Sequence, residues 1–532
     1  MGFIGALYAL HVDDSRQSMA ALFYAGSSLG VVFAGDYFTL FIFWEIMAFA
    51  SAYLIFAQRS NDAIAAGTRY LLVHIFGGVC LIGGIVIHYV NTGSLLFGPI
   101  EGAGTAFYLI LIGFILNAAV PPLSAWLSDA YPEATITGSV FLAAFTTKTA
   151  VYVLVRGFPG TEILVPLGVF MALYGVVYAV LENNCRRLLA YHIISQVGYM
   201  VAGVGIGTDM ALNGAVSHAF AHILYKSLLF MGVGAVILTT GKEKLTELGG
   251  IWKSMPITVT LYMIGAFAIS GFPLFSGFVS KSMVISAAAG DHRAAVSLLL
   301  TLASAGTFLH TGLKLPYYMF FGEDKGLKAK EPPMNMLLGM GAAAFMCIGL
   351  GVFPGLFYSV LPYPVDYHPY TGAHITGALG MLLFTGVGFF MLLKKLDPEA
   401  TVSVDTDWFY RKGSKVFMWF AIKPVQAADN FVSELYMTMI LKPKDRLAYY
   451  CGLFDITIID GIVNAAAWLL KVLAWLSHQF DIYIVDGIIN SFATIVNESG
   501  SIFRRFQNGY LQSYAVLIVV GTVLIIGGVI FF

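Results

Sequence analysis

Charged residues are scarce in this sequence. Only 11% of its 532 residues are Asp, Glu, Lys or Arg, and 29 basic against 30 acidic residues leave a formal net charge of −1. This balance provides neither a basic surface for nucleic acid nor an acidic tail, so no nucleic-acid partner is predicted. The N-terminus also lacks a charged segment followed by an apolar run and a cleavage site, so we expect no removable signal peptide.

Cysteine is equally sparse, and its placement excludes several kinds of site. The four cysteines share no CxxC or Cys/His spacing; they are Cys80, Cys185, Cys347 and Cys451. The sequence therefore predicts no disulfide framework, no iron–sulfur cluster and no zinc site. Nucleotide and flavin motifs are missing as well. We predict that the chain binds no cofactor, so any electron transfer would take place elsewhere.

Long apolar runs are what the sequence has in abundance. Hydrophobic residues make up 58% of the chain, and windows of about 20 residues, the length that a membrane-spanning helix needs, recur throughout. The predicted spans lie at 18–35, 37–57, 68–90, 105–120, 139–156, 161–181, 189–207, 211–239, 256–281, 294–321, 334–360, 372–395 and 513–531. The sequence therefore predicts an all-α polytopic protein with about thirteen spans, integral to a membrane.

The chain divides into a transmembrane core and a more polar C-terminal part. Residues 1–395 are closely spaced spans, and the stretch KKLDPEATVSVDTDWFYRKG (394–413) breaks the hydropathy with Pro398 and several acidic side chains. We predict a linker over 396–454, an amphipathic or lateral helical segment over 455–512 and a last transmembrane helix over 513–531. An ordinary additional span at about 457–477 is the alternative interpretation of the amphipathic segment.

One apolar span carries ionisable residues at intervals of four. In SHAFAHILYKSLLF (217–230), His218, His222 and Lys226 drift only about 80° around a helix, so they share one stripe. An ionisable group at bilayer depth costs about 2.5–3.5 kcal/mol on insertion scales, and such groups are usually functional. Snorkelling of the lysine and ordinary helix packing by the histidines are the structural alternatives. Three aligned groups in one span favour a function.

Three other predicted spans each carry an ionisable residue as well. Glu45, Lys148 and Lys281 each lie in an apolar run, although Lys281 is near enough to its span end to snorkel. Glycine and proline should interrupt two helices, at GFPLFSG (271–277) beside Lys281 and at NAAVPPL (117–123). Broken helices beside buried charges are a common way to build ion sites at membrane depth. The residues therefore indicate a charge-relay path across the membrane.

These stretches carry a family resemblance. The motifs WEIMAFASAYLI, PLSAWLSDAYPEA, LLAYHIISQVGYM, HAFAHILYKSLLF and GFPLFSGFVSK occur over residues 3–395. Their order and approximate spacing resemble the antiporter-like subunits of Mrp-type Na⁺/H⁺ antiporters, respiratory complex I and membrane-bound hydrogenases. The similarity is greatest to the Mrp D subunit. The resemblance implies two inverted repeats of five helices, each with one broken helix, in a bacterial or archaeal cell membrane.

The resemblance also implies roles for individual residues. Glu45 would be the family's key carboxylate and Lys148 its central lysine, while Lys281 would sit in the second broken helix and face the exit half-channel. His218, His222 and Lys226 would form the connecting relay. The tail FDIYIVDGIINSFATIVNESGSIFRRFQNGYLQSYAVLIVV resembles the lateral helix and last span of the largest antiporter-like subunit of complex I. It implies partner subunits held along the chain.

Two positions depart from the family pattern. Five residues before the second proline of NAAVPPL the family carries a lysine, but this chain has Asn117. An amide takes up no proton, so the Glu45 half lacks its usual cation. Three interpretations remain open: Lys148 also serves as the partner of Glu45, a water chain bridges the gap, or the subunit does not pump. The second departure is at the N-terminus. The stretch MGFIGALYALHVDD resembles the end of the family's third span, so we expect the first two to three helices of the family to be missing. Either the start codon is misassigned, the missing helices come from a separate small chain, or the gene is a degenerate copy.

The leading hypothesis is a subunit of a multi-subunit complex that moves protons through a buried Glu/Lys/His relay in Mrp-type cation/proton antiport. The expected partners are other membrane subunits, the bilayer, protons and a coupling ion such as Na⁺. One alternative is a proton-pumping subunit of a complex I-like NADH:quinone oxidoreductase or of a membrane-bound hydrogenase, in which case the chain is part of an enzyme. The other is a scaffold subunit that conducts nothing.

Overall fold

The fold is built from helices. A computed structural model describes residues 1–100, 102–399, 405–507 and 509–531, and within them the only β structure is two isolated bridges. The predicted all-α fold is therefore confirmed. By its internal contacts the chain forms two compact units, Met1–Ser414 and Lys415–Phe532.

The first unit contains the helices of the predicted core. In chain order they are α1 Gly2–Ala9, α2 Ser15–Phe33, α3 Tyr37–Phe56, α4 Asn61–Thr92, α5 Thr105–Asn117, α6 Ala125–Ala130, α7 Ile136–Ala144, α8 Thr146–Gly157, α9 Leu164–Leu181, α10 Cys185–Ile206, α11 Asp209–Thr240, α12 Pro256–Ser270, α13 Ser276–Gly290, α14 Ala294–Thr307, α15 Met334–Val352, α16 Pro354–Tyr358 and α17 Gly372–Met391. Helix α14 continues to Phe321 through π-turns at Phe308–Lys314 and Tyr317–Phe321.

Helix α11 lies at the centre of this unit. The side chain of Thr208 accepts from the backbone N–H of Ala211 and so begins the helix, and Gly241, at φ 69°, ends it in the left-handed conformation that glycine adopts most easily. Helices α7, α8, α10, α12, α13 and α15 pack around it. Its ionisable stripe is therefore enclosed by protein and not by lipid.

Helices α9 and α10 touch backbone to backbone. A Cβ atom on Gly175 of α9 would lie 2.4 Å from the carbonyl oxygen of Tyr191, and one on Gly198 of α10 would lie 2.5 Å from that of Gly168. Contacts this short leave room only for glycine. The ladder of glycines fixes these two helices against each other.

Both predicted helix interruptions are present. Helix α5 ends at Asn117 and α6 begins at Ala125, and the carbonyl of Leu116 accepts from the indole N–H of Trp126 at 3.1 Å and from the backbone N–H of Ala119 at 3.0 Å. Helix α12 ends at Ser270 and α13 begins at Ser276. Such non-helical backbone is tolerated at membrane depth where protein satisfies its polar groups. The inverted-repeat relation between the two breaks stays a prediction.

Eleven helices in the described part of the chain are long and apolar enough to cross a membrane. About thirteen spans were predicted. Three predicted spans are not among the eleven, because α5 and α12, in the broken helices, are apolar but shorter, and α2, over Ser15–Phe33, does not reach the same apolarity. One further candidate, Asp407–Arg505, lies in the tail, outside the predicted spans. The chain is an integral membrane protein.

A run of helices extends from Asp407 to Phe506, interrupted only by π-turns, and a last apolar helix follows. These helices are α18 Asp407–Phe420, α19 Gln426–Tyr436, α20 Lys442–Phe454, α21 Asp460–Phe480, α22 Gly487–Phe506 and α23 Leu511–Phe531. None of the described side chains from Lys415 onward is buried. The run begins inside the predicted linker 396–454, of which residues 400–404 lie outside the described part. The proposed division of the tail stays a prediction.

Candidate functional site

The ionisable stripe of α11 is fully buried. His218 Nδ1 lies 3.1 Å from the Ser280 hydroxyl oxygen on α13, and the Tyr225 hydroxyl lies 3.4 Å from His218 Nε2. His222 and the Lys226 ammonium have no hydrogen-bond partner among the described residues. The ring centroids of His218 and His222 are 6.2 Å apart. Buried polar groups are normally satisfied, and ordered water is the usual partner where protein supplies none.

Lys148 joins this stripe from α8. Its ammonium donates to the carbonyl of Ala143 at 2.5 Å, where the boundary between α7 and α8 frees a backbone acceptor. Its charge interacts with His222 and Lys226. The structure therefore brings four of the predicted residues together: Lys148, His218, His222 and Lys226.

Lys281 stands at the second broken helix. Its ammonium donates to the Ile269 carbonyl at 2.9 Å, lies 5.8 Å from the ring centre of Tyr199, and interacts electrostatically with His218. A cavity of about 340 Å³ opens beside it, between α13, α14 and α17. Its polar lining includes Ser282, Ser286, Ser304 and His374. The lysine thus connects the stripe of α11 to an open space.

Glu45 and Asn117 stand apart from this cluster. The carboxylate of Glu45 packs against Gly78 of α4, where an added Cβ would lie 2.1 Å from Oε1. No hydrogen bond or ion pair joins Glu45 to another residue in the described ranges, and both side-chain polar atoms of Asn117 are buried without a partner there. His74, one turn before Gly78, is buried and also leaves Nε2 without a partner. The predicted transfer from Glu45 to Lys148 has no direct contact to support it.

Three buried residues that sequence reasoning missed extend the cluster. His192 of α10 interacts electrostatically with Lys226, Lys281 and His310, and its ring centroid lies 6.1 Å from that of His310. Lys314 follows one turn later on the same helix as His310, and it donates to the Val180 carbonyl at 2.6 Å. A signal existed, because His310 and Lys314 are spaced by four in an apolar run, as on α11.

A cavity of about 490 Å³, here called the acidic vestibule, lies where α9 ends and α10 begins. Carboxylates outnumber arginines in its lining, which includes Asp62, Asp129, Glu133, Glu182, Asp405, Asp407, Arg69, Arg187 and Arg411. Burial raises the pKa of the Glu133 carboxyl, while the charge of Arg187 acts to lower it. A cleft lined mainly by one sign of charge concentrates ions of the other sign, so the vestibule attracts cations and protons.

Two tyrosines hold the segment after α17 at this vestibule. The Tyr191 hydroxyl donates to Asp405 at 2.7 Å, and the Tyr174 hydroxyl also donates to this carboxylate. Nearby, Asp129 accepts from Arg69 at 2.6 Å and from Arg411 at 2.8 Å. These contacts fix the start of α18 beside α6 and α10.

Comparison with solved structures gives the same fold. A chain of the membrane-bound sulfane sulfur reductase, an archaeal respiratory membrane complex, matches with a TM-score of 0.64 at 24% identity, over 89% of this chain and 86% of that one. A chain of the Mrp complex from Dietzia sp. DQ12-45-1b matches with a TM-score of 0.63 at 22% identity, over 73% of this chain and 82% of that one.

Sequence comparison identifies the family. The D subunit of the Na(+)/H(+) antiporter of Alkalihalophilus pseudofirmus is 33% identical over 321 residues, which cover 56% of this chain and 64% of that protein. The family described as NADH:quinone oxidoreductase/Mrp antiporter, transmembrane, matches residues 34–309, which is more than half of the chain. This segment contains both broken helices and every residue of the predicted relay. The predicted resemblance is confirmed, and the chain belongs to the NADH:quinone oxidoreductase/Mrp antiporter transmembrane family.

Proposed function

We propose that this chain is a proton-conducting subunit of a multi-subunit membrane complex that exchanges cations for protons, as Mrp-type antiporters do. The observation that carries the proposal is the buried chain of lysines and histidines from Lys148 through α11 to Lys281. Similarity to an Na(+)/H(+) antiporter subunit supports the choice of antiport. Because the chain covers 64% of that subunit, the activity of the whole complex is part of the proposal.

The relay would work through repulsion between neighbouring charges. Two unit charges 4 Å apart interact by about 4 kcal/mol at an effective dielectric of 20, which corresponds to a large change in proton occupancy. A proton on Lys148 would therefore disfavour one on Lys226 and drive it through His218 toward Lys281. A neutral histidine suits the middle position, because one ring nitrogen accepts while the other donates. From Lys281 the proton would leave through the adjoining cavity.

Glu45 would act on this relay at a distance. Among the described residues it pairs with no cation, and Asn117 cannot hold a proton. Its carboxylate would stabilise positive charge on the Lys148 side of the unit without exchanging protons with it. We therefore place Glu45 as a positioning charge and Lys148 as the first proton carrier.

A redox-driven complex is the second candidate, because a chain of an archaeal respiratory membrane complex has the same fold. The fold match to the sulfane sulfur reductase chain covers 89% of this sequence, whereas Met1–Ser414 is less than four fifths of it, so the match extends into the second unit. Proton movement would then follow electron transfer in other subunits, while the relay within this chain stays the same.

Proton movement in inverted membrane vesicles tests the proposal. The vesicles carry the native complex, and a pH-sensitive dye reports their interior after a proton gradient is imposed. We expect added Na⁺ or K⁺ to release the gradient, and vesicles lacking this chain to show no such release. Mass spectrometry of the purified complex identifies the co-purifying subunits. Proton movement that needs an electron donor and ignores both cations would replace antiport by the redox candidate, and movement under neither condition would contradict both.

A further inference from the structure

A second line of buried ionisable residues leaves the relay at His192. This histidine is fully buried, neither ring nitrogen has a protein partner among the described residues, and it interacts electrostatically with Lys226, Lys281 and His310. Next to it on α10, the Gln196 amide donates to the Thr307 hydroxyl at 3.2 Å. A polar interface between α10 and α14 therefore starts at the relay and leads away from it.

The π-turn of α14 carries the line onward. Phe308–Lys314 forms this turn, and it contains both His310 and Lys314. The two ring nitrogens of His310 and the hydroxyl of Thr311 are buried without a partner in the described residues. The turn thus places a buried histidine, which no hydrogen bond to a described residue holds, one turn before Lys314.

The line ends at the acidic vestibule. Lys314 interacts electrostatically with Glu182, which is 7% exposed and lines the vestibule. Glu182 is held in place there, because its Oε1 accepts from the backbone N–H groups of Asn183 and Asn184, both at 3.0 Å. Four buried ionisable residues therefore lie in succession between the vestibule and the relay: Glu182, Lys314, His310 and His192.

The vestibule and the Lys281 cavity open at opposite ends of α9. Lys314 bonds to Val180, near the last residue of this helix. Beyond Ser286, α13 ends at a loop whose Arg293 pairs at 2.5 Å with Glu162, just before the first residue of α9. Helix α9 has 18 residues, about 27 Å at 1.5 Å per residue, close to the thickness of the hydrocarbon core. The two cavities therefore lie toward opposite ends of a helix that is long enough to span the membrane.

We propose that Glu182, Lys314, His310 and His192 form a proton route between the acidic vestibule and the relay, so that the second half of this chain alone reaches both membrane faces. The inference rests on the proposed function, because it needs a relay to supply. Each step moves one proton between neighbouring groups or bridging waters, and none needs an oxidant or reductant. Because Asn117 cannot carry a proton, the route gives the relay a supply that does not depend on the Glu45 half of the chain.

Variants of Lys314 test this route in the vesicle assay. Methionine removes the charge and arginine keeps it, but neither can take up and release a proton, because arginine stays protonated. We expect Lys314→Met and Lys314→Arg each to slow cation-driven proton movement about tenfold or more, and Lys314→His to stay within about threefold of the unaltered chain. Ser297→Ala, on the same helix and outside the route, is the control. Each variant is first checked for its amount in the purified complex.

The outcomes separate this inference from the proposed function. An assembled Lys314→Arg complex that works at the normal rate would overturn the route, because a fixed charge would then suffice. His310→Gln gives an independent reading should the lysine variants fail to assemble, and a normal rate in it would overturn the route as well. If Lys148→Ala stops transport while the Lys314 and His310 variants do not, only the route fails. If Lys148→Ala also leaves transport unchanged, both the route and the proposed function fail.

Discussion

Replacing Lys148 by alanine is expected to stop cation-driven proton movement by the assembled complex, with a rate at least about a hundredfold lower. Lys148 interacts electrostatically with both His222 and Lys226, and it is the lysine of the cluster furthest from the Lys281 outlet along the proposed relay. Without its charge, nothing at that end favours release of the proton held on α11. Lys148 forms no ion pair with another described residue, so the substitution leaves no buried charge unpaired. We therefore expect the chain to fold.

The measurement uses inverted vesicles with equal amounts of each complex, and two further variants sharpen it. Lys148→Arg keeps the charge but cannot release a proton, so we expect it to be as inactive as Lys148→Ala. Lys328→Ala removes a solvent-exposed lysine from the loop after α14 and should change nothing. Normal transport by an assembled Lys148→Ala complex would contradict the relay and favour a scaffold role for the chain.

Replacing Gly277 by alanine is expected to impair both stability and transport. The added Cβ would lie 1.8 Å from the Ala268 carbonyl oxygen, and a backbone atom in the last turn of α12 cannot swing away as a side chain can. Overpacking commonly costs about 1–3 kcal/mol of unfolding free energy, and this contact is with rigid backbone. Separating α12 from α13 would also displace the Ile269 carbonyl that holds the Lys281 ammonium at 2.9 Å.

Helix α13 supplies a matched control for this substitution. A Cβ on Gly290, at the other end of the same helix, would meet nothing within 4 Å. Gly290→Ala should therefore change stability by no more than about 0.5 kcal/mol. The readouts are the thermal midpoint of the solubilised complex, followed by the loss of its size-exclusion peak, and proton movement in vesicles. Equal midpoints and equal rates for the two variants would show that the second break tolerates a wider separation.

The sequence predicted the centre of the site because its signal was local. Four-residue spacing on α11 and glycine or proline at the breaks are properties of single segments. His192 gave no such signal, because one histidine in a span is ordinary and its partners, Lys226 and His310, belong to other helices. The distance of Glu45 from the cluster depends in the same way on how α3 and α4 pack, which no local pattern records.

The tail shows a second feature that a local pattern does not record. Pro398 and the acidic residues near it predict a linker over 396–454, which stays a prediction, and helices occupy the stretch from Asp407 onward. Pro424 lies within a π-turn and Pro443 in the first turn of α20, both places where a missing backbone N–H is tolerated. A proline therefore marks a helix end only when the local turn cannot absorb it.

The backbone contact between α9 and α10 determines how the two membrane faces can be reached in turn. These helices carry the ends of both outlets, and their glycines leave no gap across which they could slide or tilt. A rocking motion of half the bundle would have to move them as one rigid body. We therefore expect α9 and α10 to keep their relative positions throughout the transport cycle, so that any switching at their interface consists of side-chain rotations and the filling and emptying of water-sized spaces.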